Sequence, residues 1–507
     1  MRLTILLALL ASTLTAAAAP ERDGNRVTIR DSDGGIAIEF ATPVSFQYEH
    51  WWGAQPAQPF PGAPLSLDSQ SIAVKELADG GVQLTTRFLE VTLAKGAFTV
   101  RTTSGKEVAV MPRDASRTGF QLKAYPDEMF YGLGATDSPN LNLRGLLIPA
   151  TKPLLISNHG YGLYVPSGAA VFDLAKRDPN SIGIATNKPA FQFYYGPNPK
   201  EILEQHVITT HNQIDLEEAA LSTRDEKKLP KEVLRLDISD ANYCDSPRIL
   251  NQLSLSGELF PALDLARLGR HDQLVRLLPF LFDSKGASHP ELDKRRSPWE
   301  LYLVAYLREA HDRGLPFIRP LLMQFPQDKG LDARSGVYMI GDEILVAPGC
   351  NVTEVELPRG SWTDLRTNTR HAGRQKVAND PKAGLPIYAK AGSLIPLKAA
   401  RRLELHYFPT LGGEFFVYEP EVNDYSQFHA APSANFMRVE SESKVARICE
   451  WILHHTSKPK TVEETGRPYN EAATLLPGTW FHDPATGNLH IVVATAAGED
   501  HIVNMSF

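Results

Sequence analysis

The chemistry-bearing residues of this 507-residue chain are carboxylates and aromatic rings. Two carboxyl groups held about 5–5.5 Å apart can cleave a glycosidic bond with retention, one attacking while the other protonates the leaving oxygen. Asp237 lies at the end of the strand-like run Val233–Ile238, and Asp240 follows three residues later. The two could form such a pair, although a solvated strand end is the plainer reading. Glu258 could serve as an acid, but nothing in its spacing singles it out. His50-Trp51-Trp52-Gly53 sets two aromatic rings side by side. Trp51 and Trp52 could stack on a sugar face or fill the core of a sandwich. Arg295 and Arg296 could pair with carboxylates or stand as a solvated run ahead of a helix.

Other chemistries find no support. The strings His-Glu-x-x-His, Gly-x-Ser-x-Gly and Gly-x-x-x-x-Gly-Lys-Ser/Thr are absent. The Cys and His spacing offers no zinc site, so neither a metal nor a cofactor is expected. With 52 Lys+Arg against 59 Asp+Glu, the net charge of −7 argues against nucleic acid as a partner. The basic run Lys227-Lys228 with Lys231 adjoins Asp225 and Glu226 and reads as a solvated linker. Cys244, Cys350 and Cys449 are too few and too scattered for a disulfide framework.

Those residues need elements to position them. A hydrophobic share of 43% excludes general disorder, and the length suggests three to four domains. Residues 1–20 have Arg2, an apolar run from Leu3 to Leu14 and the small residues Ala16–Ala19, the parts of a secretory signal peptide cleaved near Ala19. Export to a periplasmic or extracellular space follows, with no membrane attachment after cleavage. From Arg26 to about Val110, Val82, Leu84, Val91, Leu93, Phe98 and Val100 alternate with polar neighbours, as strands of a sandwich do. The segments Gly162–Val165 and Phe191–Tyr195 extend it. Asn198, Pro199 and Glu201 then open a helix.

Val233–Ile238 reads as a buried strand. Ser297-Pro298-Trp299-Glu300 starts the clearest helix, with Ser297 as cap and Trp299, Leu303, Tyr306, Leu307 and Ala310 on one face; Gly314 ends it. Phe317–Phe325 resumes as a strand. Beyond Tyr338 the chain is β-rich to its end.

Several stretches together resemble glycoside hydrolase family 31, the α-glucosidases and α-xylosidases. Phe130-Tyr131-Gly132-Leu133-Gly134 followed by Leu141–Gly145 is similar to the family's N-terminal sandwich. Tyr195-Gly196-Pro197 with Glu201–Leu203 resembles the passage into the catalytic barrel. Leu253-Ser254-Leu255-Ser256-Gly257 with Asp264 looks like a late-barrel segment. The longest likeness runs from Arg296 through Gly314–Leu321, Tyr338–Asp342 and Ile344–Pro348 to Leu385–Ile387 and Ala391–Leu397. It resembles the last barrel helix and strand and the C-terminal sandwich.

The resemblance implies a (β/α)8 barrel between sandwiches, which typically takes about 250 residues. Only about 120 separate Glu204 from Phe325. The family's nucleophile motif, Trp-x-Asp-x-Asn, does not occur, and its acid/base stretch has no counterpart. Phe282–Lys285 stands where Arg-x-His would follow, and Asp264-Leu265-Ala266-Arg267-Leu268 replaces a glycine-bearing string. What the resemblance leaves is Asp264 at a position near the sugar, Asp237 at a strand-end aspartate, and His289 as a substitute for the lost histidine.

The expected architecture is multidomain, β and α/β. After residues 1–20 it has an N-terminal β-sandwich (21–215), a truncated (β/α)-barrel remnant (216–337), a proximal C-terminal β-sandwich (338–400) and a distal β domain (401–507). The candidate catalytic residues are Asp264, Asp237 and Asp240; the candidate binding residues are Trp51, Trp52, His289 and Arg296. The expected function is carbohydrate binding or scaffolding without ordinary catalysis. The rivals are a retaining α-glycosidase with recruited carboxylates and a shortened gene product without function. Open barrel edges invite a second copy of the chain to cover them.

Overall fold

The computed structural model describes residues 19–30, 33–54, 72–78, 81–94, 97–112, 118–134, 136–166, 170–175, 180–210, 234–236, 246–257, 261–263, 282–283, 294, 297–331, 333–348 and 352–507. The chain divides into two compact units. The first comprises residues 1–128, 145–150 and 161–195, and the second comprises 129–144, 151–160 and 196–507.

The described residues of the first unit form strands and their connections. Strands Glu21–Asp23, Arg26–Arg30, Gly34–Thr42, Ser45–Trp52, Ala190–Tyr195 and Tyr161–Tyr164 follow one another across one antiparallel sheet. A five-stranded meander runs from Ala73–Glu76 to Glu107–Pro112. The expected alternation holds, with Val82, Leu84, Val91, Phe98 and Val100 all buried. Phe46 ties the layers together: its ring packs against Phe40 at 5.4 Å, Phe98 at 5.8 Å and Phe193 at 4.9 Å. Aromatic pairs of this spacing add to the burial of their area.

The second unit begins with the pair Phe130–Gly132 and Leu154–Ser157. Helix α1 (Pro199–Thr210) starts as its sequence says, with Asn198 Oδ1 accepting from the Glu201 N–H at 3.2 Å. Three short strands, Leu234–Leu236, Pro261–Leu263 and Phe282–Asp283, pair in parallel. Helix α2 (Ser246–Ser254) lies between the first two in the chain. Helix α3 (Glu300–Arg313) buries Tyr302, Leu303, Tyr306, Leu307 and Ala310 and ends at Gly314 in the left-handed region. Its start differs from expectation. Ser297–Trp299 is a 3-10 turn, Trp299 holds the cap position, and no side chain caps the helix.

The run Phe317–Phe325 is not one strand. Ile318–Pro320 is a strand that pairs antiparallel with Tyr338–Ile340, and Leu321–Gln324 turns into the short helix α4. The segment expected as the last barrel strand is therefore the edge of the proximal C-terminal sheet. That sheet runs on through Ile344–Val346, Ile387–Lys390, Ser361–Asp364 and Thr369–Ala372. Leu394–Ala399 pairs antiparallel with Arg402–Tyr407. The two six-stranded sheets of residues 394–506 enclose a core that includes Leu405, Val417, Phe428, Trp451 and Ile491.

Candidate functional site

In the second unit, two motifs far apart in sequence meet. Gly132, Leu133 and Gly134 all have positive φ, which folds the chain sharply after the strand. A Cβ on Gly132 would lie 2.3 Å from the Leu154 carbonyl oxygen and 3.1 Å from that of Leu255, so only glycine fits. The Gly134 N–H donates to Ser256 Oγ at 2.7 Å. One turn earlier on α2, Gln252 accepts from the Thr136 N–H at 3.2 Å and donates to Thr136 Oγ1 at 3.0 Å. Arg248 donates to the carbonyl oxygens of Thr136 and Ser138, both at 2.9 Å. The loop after the Tyr-Gly-Leu-Gly string is thus clamped onto the helix that leads to the strand Pro261–Leu263.

In the three-stranded parallel sheet, Leu236 lies opposite Leu263, and Leu263 opposite Asp283. The next residues in the chain after the first two are Asp237 and Asp264. In parallel α/β sheets, ligands bind beyond the carboxyl ends of the strands. Asp283 is a carboxylate that sequence reasoning passed over; its place at the end of an apolar run, Leu281-Phe282, was the available signal. Asp237, Asp240, Asp264, His289 and Arg296 themselves lie outside the described residues.

The aromatic pair of the first unit splits. Trp51 is 5% exposed, and a Cβ on Gly35 would meet its ring at 2.6 Å, so it lies flat over the backbone as core. Of the two readings of Trp51, its burial fits the sandwich core, and its strand neighbour Trp52 points to the opposite face. Trp52 is half-buried and stacks on His50 at 4.1 Å. His50 in turn lines a small cleft of about 30 Å³, partly open to solvent, with Tyr48, Phe98, Phe120 and Phe191.

A charged knot lies where α1, α3 and the proximal sheet meet. Arg319 is fully buried, bridges Glu309 and Asp342, and donates to the Pro316 carbonyl at 2.9 Å. Lys200 of α1 donates to Asp342 at 2.7 Å, and Gln324 also bonds that carboxylate. Burial alone would raise the Asp342 pKa, but Arg319 and Lys200 outweigh it and hold it well below the usual carboxylate range. Burial, followed by the nearby Arg319 charge, lowers that of Lys200.

Glu343, beside Asp342, is pushed up to about 7 by burial and then by the Asp342 charge, against the pull of the Tyr302 and Tyr306 hydroxyls. Those hydroxyls lie 2.8 Å and 2.6 Å from its Oε2. Both tyrosines are raised well above their ordinary value, by burial and then by Glu343. A carboxyl near 7 has the proton affinity of a general acid. Here, however, Tyr302, Tyr306 and the Asp342 N–H occupy it, so it acts as a structural group.

Comparison with known proteins converges on one family. Residues 314–395 match the model of the glycosyl hydrolase family 31 C-terminal domain. A probable glucan 1,3-alpha-glucosidase of Arabidopsis thaliana is 32% identical over 187 residues, 30% of this chain and 20% of that protein. An alpha-glucosidase of Saccharolobus solfataricus is 29% identical over 173 residues, 33% of this chain and 23% of that one. The matches therefore span about a fifth of those relatives' length. Among solved structures, a Flavobacterium johnsoniae dextranase complexed with isomaltotriose superposes with TM-score 0.78 at 14% identity, covering 97% of this chain and 99% of that one. A cycloalternan-forming enzyme from Listeria monocytogenes, in complex with a pentasaccharide substrate, gives 0.76 at 13%, covering 96% and 76%. At such identities the likeness is one of fold.

Proposed function

Because the chain belongs to glycoside hydrolase family 31, we propose that it is an exported protein that binds α-linked oligosaccharides without the family's ordinary hydrolysis. The observation that carries this reading is the middle of the chain. Between α1 and α3 it has about 90 residues, and neither the nucleophile string nor the acid/base stretch occurs there. A half-sized barrel in residues 216–337 can retain the cleft end that holds a glycan while lacking the paired carboxyl groups that retention requires. The dextranase was solved with isomaltotriose and the cycloalternan-forming enzyme with a pentasaccharide substrate, and isomaltotriose is the ligand to try first. Trp52, stacked on His50 beside an aromatic cleft, supplies a ring face for it. Open edges of the shortened barrel would be covered by a second copy.

One observation favours a second reading, active hydrolysis. The strands Leu234–Leu236 and Pro261–Leu263 end in register, and an aspartate follows each of them in sequence. The recruited carboxylates would then come from Asp237, Asp240, Asp264 or Glu258.

The test is one purification and two assays. Aryl α-glucosides and α-xylosides should give flat progress curves, while titration with isomaltotriose gives saturable heat. Turnover that disappears in Asp264→Asn or Asp237→Asn would instead establish the enzyme. Neither turnover nor binding would leave the reading of a shortened, functionless product.

A further inference from the structure

One sheet of residues 394–506 carries aromatic rings on its outer face. Strands Gly413–Glu419, Asp424–Pro432, Phe436–Glu442 and Asp500–Ser506 follow one another across it, all antiparallel. Phe415, Val417, Phe428, Met437, Val439 and Val503 are buried in the core. Strand alternation therefore turns Phe416, Gln427, His429, Phe436 and Glu440 outward. Phe416 is 42% exposed and Phe436 43%, and Val422 at the tip of the first hairpin is 49% exposed. The solvated face of an antiparallel sheet is ordinarily polar, and apolar side chains set among polar ones there mark a binding surface.

The neighbours of Phe416 are hydrogen-bonding groups. Gln427 lies directly across from it, and among the described residues the Gln427 side-chain amide has no partner. His429 meets the Phe416 ring edge-on at 5.9 Å, and Glu414 lies across from His429. On the next strand, Gln427 faces Glu442 and His429 faces Glu440. A sugar ring has an apolar C–H face and a rim of hydroxyls. Phe416 suits the face; the free amide and the carboxylates suit the rim. Phe436 opens the strand that Glu442 closes, which sets the two phenylalanines roughly 20 Å apart along the strands, at about 3.4 Å per residue. That length fits an extended chain of sugars.

Charge narrows the choice of occupant. Glu414, Glu440, Glu442 and Asp500 share this face, and the nearby cations are already engaged. Arg438 donates to Glu440 at 2.8 Å and Lys444 to Glu442 at 2.7 Å. A lipid surface, a nucleic acid or an acidic polysaccharide would meet like charge here. A second copy related by a two-fold axis would set the face against itself, carboxylates opposing carboxylates. A neutral polyol incurs neither penalty.

We propose that this sheet face is a second carbohydrate-binding surface, which takes a neutral glucan chain across Phe416, Gln427 and Phe436. Its strands are neither those of the shortened barrel nor the strand of Trp52. That the ligand is a glucan rests on the carbohydrate reading above; its place rests on the rings and the free amide. Such a surface is weak for one short oligosaccharide, and a polymer that offers many repeats compensates by rebinding.

Electrophoresis of the intact protein through gels containing dextran tests this. The unaltered chain and Trp52→Ala should both be retarded. Phe416→Ala, Phe436→Ala and Gln427→Ala should each weaken the retardation several-fold, and the Phe416→Ala/Phe436→Ala pair should abolish what Trp52→Ala retains. Both phenylalanines are exposed, so thermal midpoints should stay where they are. Calorimetric titration with isomaltotriose reads the reading above separately: no heat there, with retardation that still depends on Phe416, would sink that reading and keep this one. Retardation unchanged in the double variant overturns the surface, as does an unaltered chain that runs freely. So does a dimer in sedimentation that Phe416→Ala dissociates, because it gives the face to a second copy.

Discussion

Tyr302 and Glu343 share a contact that is short of a proton. The tyrosine hydroxyl lies 2.8 Å from the carboxyl oxygen and 2.7 Å from the Ile340 carbonyl, one proton facing two acceptors. A protonated Glu343 resolves it. The carboxyl donates to Tyr302, Tyr302 donates to Ile340, and Tyr306 donates to Glu343 while accepting the Asp342 N–H at 2.9 Å. Every contact becomes a hydrogen bond, in agreement with a carboxyl pushed up to about 7.

The sign of the pH effect follows. A group whose pKa is higher folded than unfolded contributes stability that is complete at low pH and is lost as pH rises. Between about pH 4.5 and 7 the folded state should lose ~2–3 kcal/mol from this group. Glu343→Gln, whose amide can also donate to Tyr302, should flatten that part of the curve and melt higher than the unaltered chain at pH 8. Thermal midpoints of both proteins across the range check it.

Arg319 should tolerate no substitution. It is fully buried between two carboxylates, and a lysine cannot reproduce a fork that reaches Glu309, Asp342 and the Pro316 carbonyl together. Glu309 and Asp342 are partly exposed, so losing Arg319 costs less than the ~3–5 kcal/mol of a fully buried pair. Arg319→Met and Arg319→Lys should both lower the melting temperature sharply, with the methionine variant worse. Equal midpoints for Arg319→Met and the unaltered chain would contradict this account.

Gly314→Ala carries two penalties. The residue has φ of 66° at the end of α3, and an added Cβ would lie 2.3 Å from the Val207 side chain of α1. The conformational part is worth about 1 kcal/mol. The clash adds more, because Val207 is buried. A double variant with Val207→Ala should show less than the sum of the two single losses, read by chemical denaturation.

Trp51→Phe should leave oligosaccharide affinity unchanged. The ring is core, and its indole N–H is buried without a hydrogen-bond partner, so the substitution removes an unsatisfied donor along with some packing. Trp52→Ala, by contrast, should weaken binding several-fold through the lost ring face. Calorimetric titration separates the two.

What was legible in the sequence was local. Asn198 with Glu201, the apolar face of α3 and the terminating Gly314 each act within a few residues, and each holds. The failures needed partners from afar. Phe317–Phe325 is mostly apolar, and periodicity alone cannot divide such a run into a strand and a helix. Its strand is fixed by Tyr338–Ile340, about twenty residues on. Glu309, Arg319 and Asp342 look like surface charges until α3 and two strands bring them together. Trp51 and Trp52 were separable in principle, because adjacent strand positions cannot share a face. The family's order of motifs was readable; the carboxylates that would decide its chemistry lie where only Asp283 and the strand ends are described.

Helices α1 and α3 hold each other directly, through Val207 against Gly314 and through Glu204 with Arg313 at 3.0 Å. The segment between Thr210 and Glu300 consequently has its two ends already fixed. The entropy of closing such a segment grows only with the logarithm of its length, about 0.6 kcal/mol per doubling. Trimming a full barrel of about 250 residues to the present 90 or so therefore changes the closure term by ~1 kcal/mol. The flanking sandwiches would scarcely register the difference, so an ancestral deletion could be inherited without unravelling its surroundings.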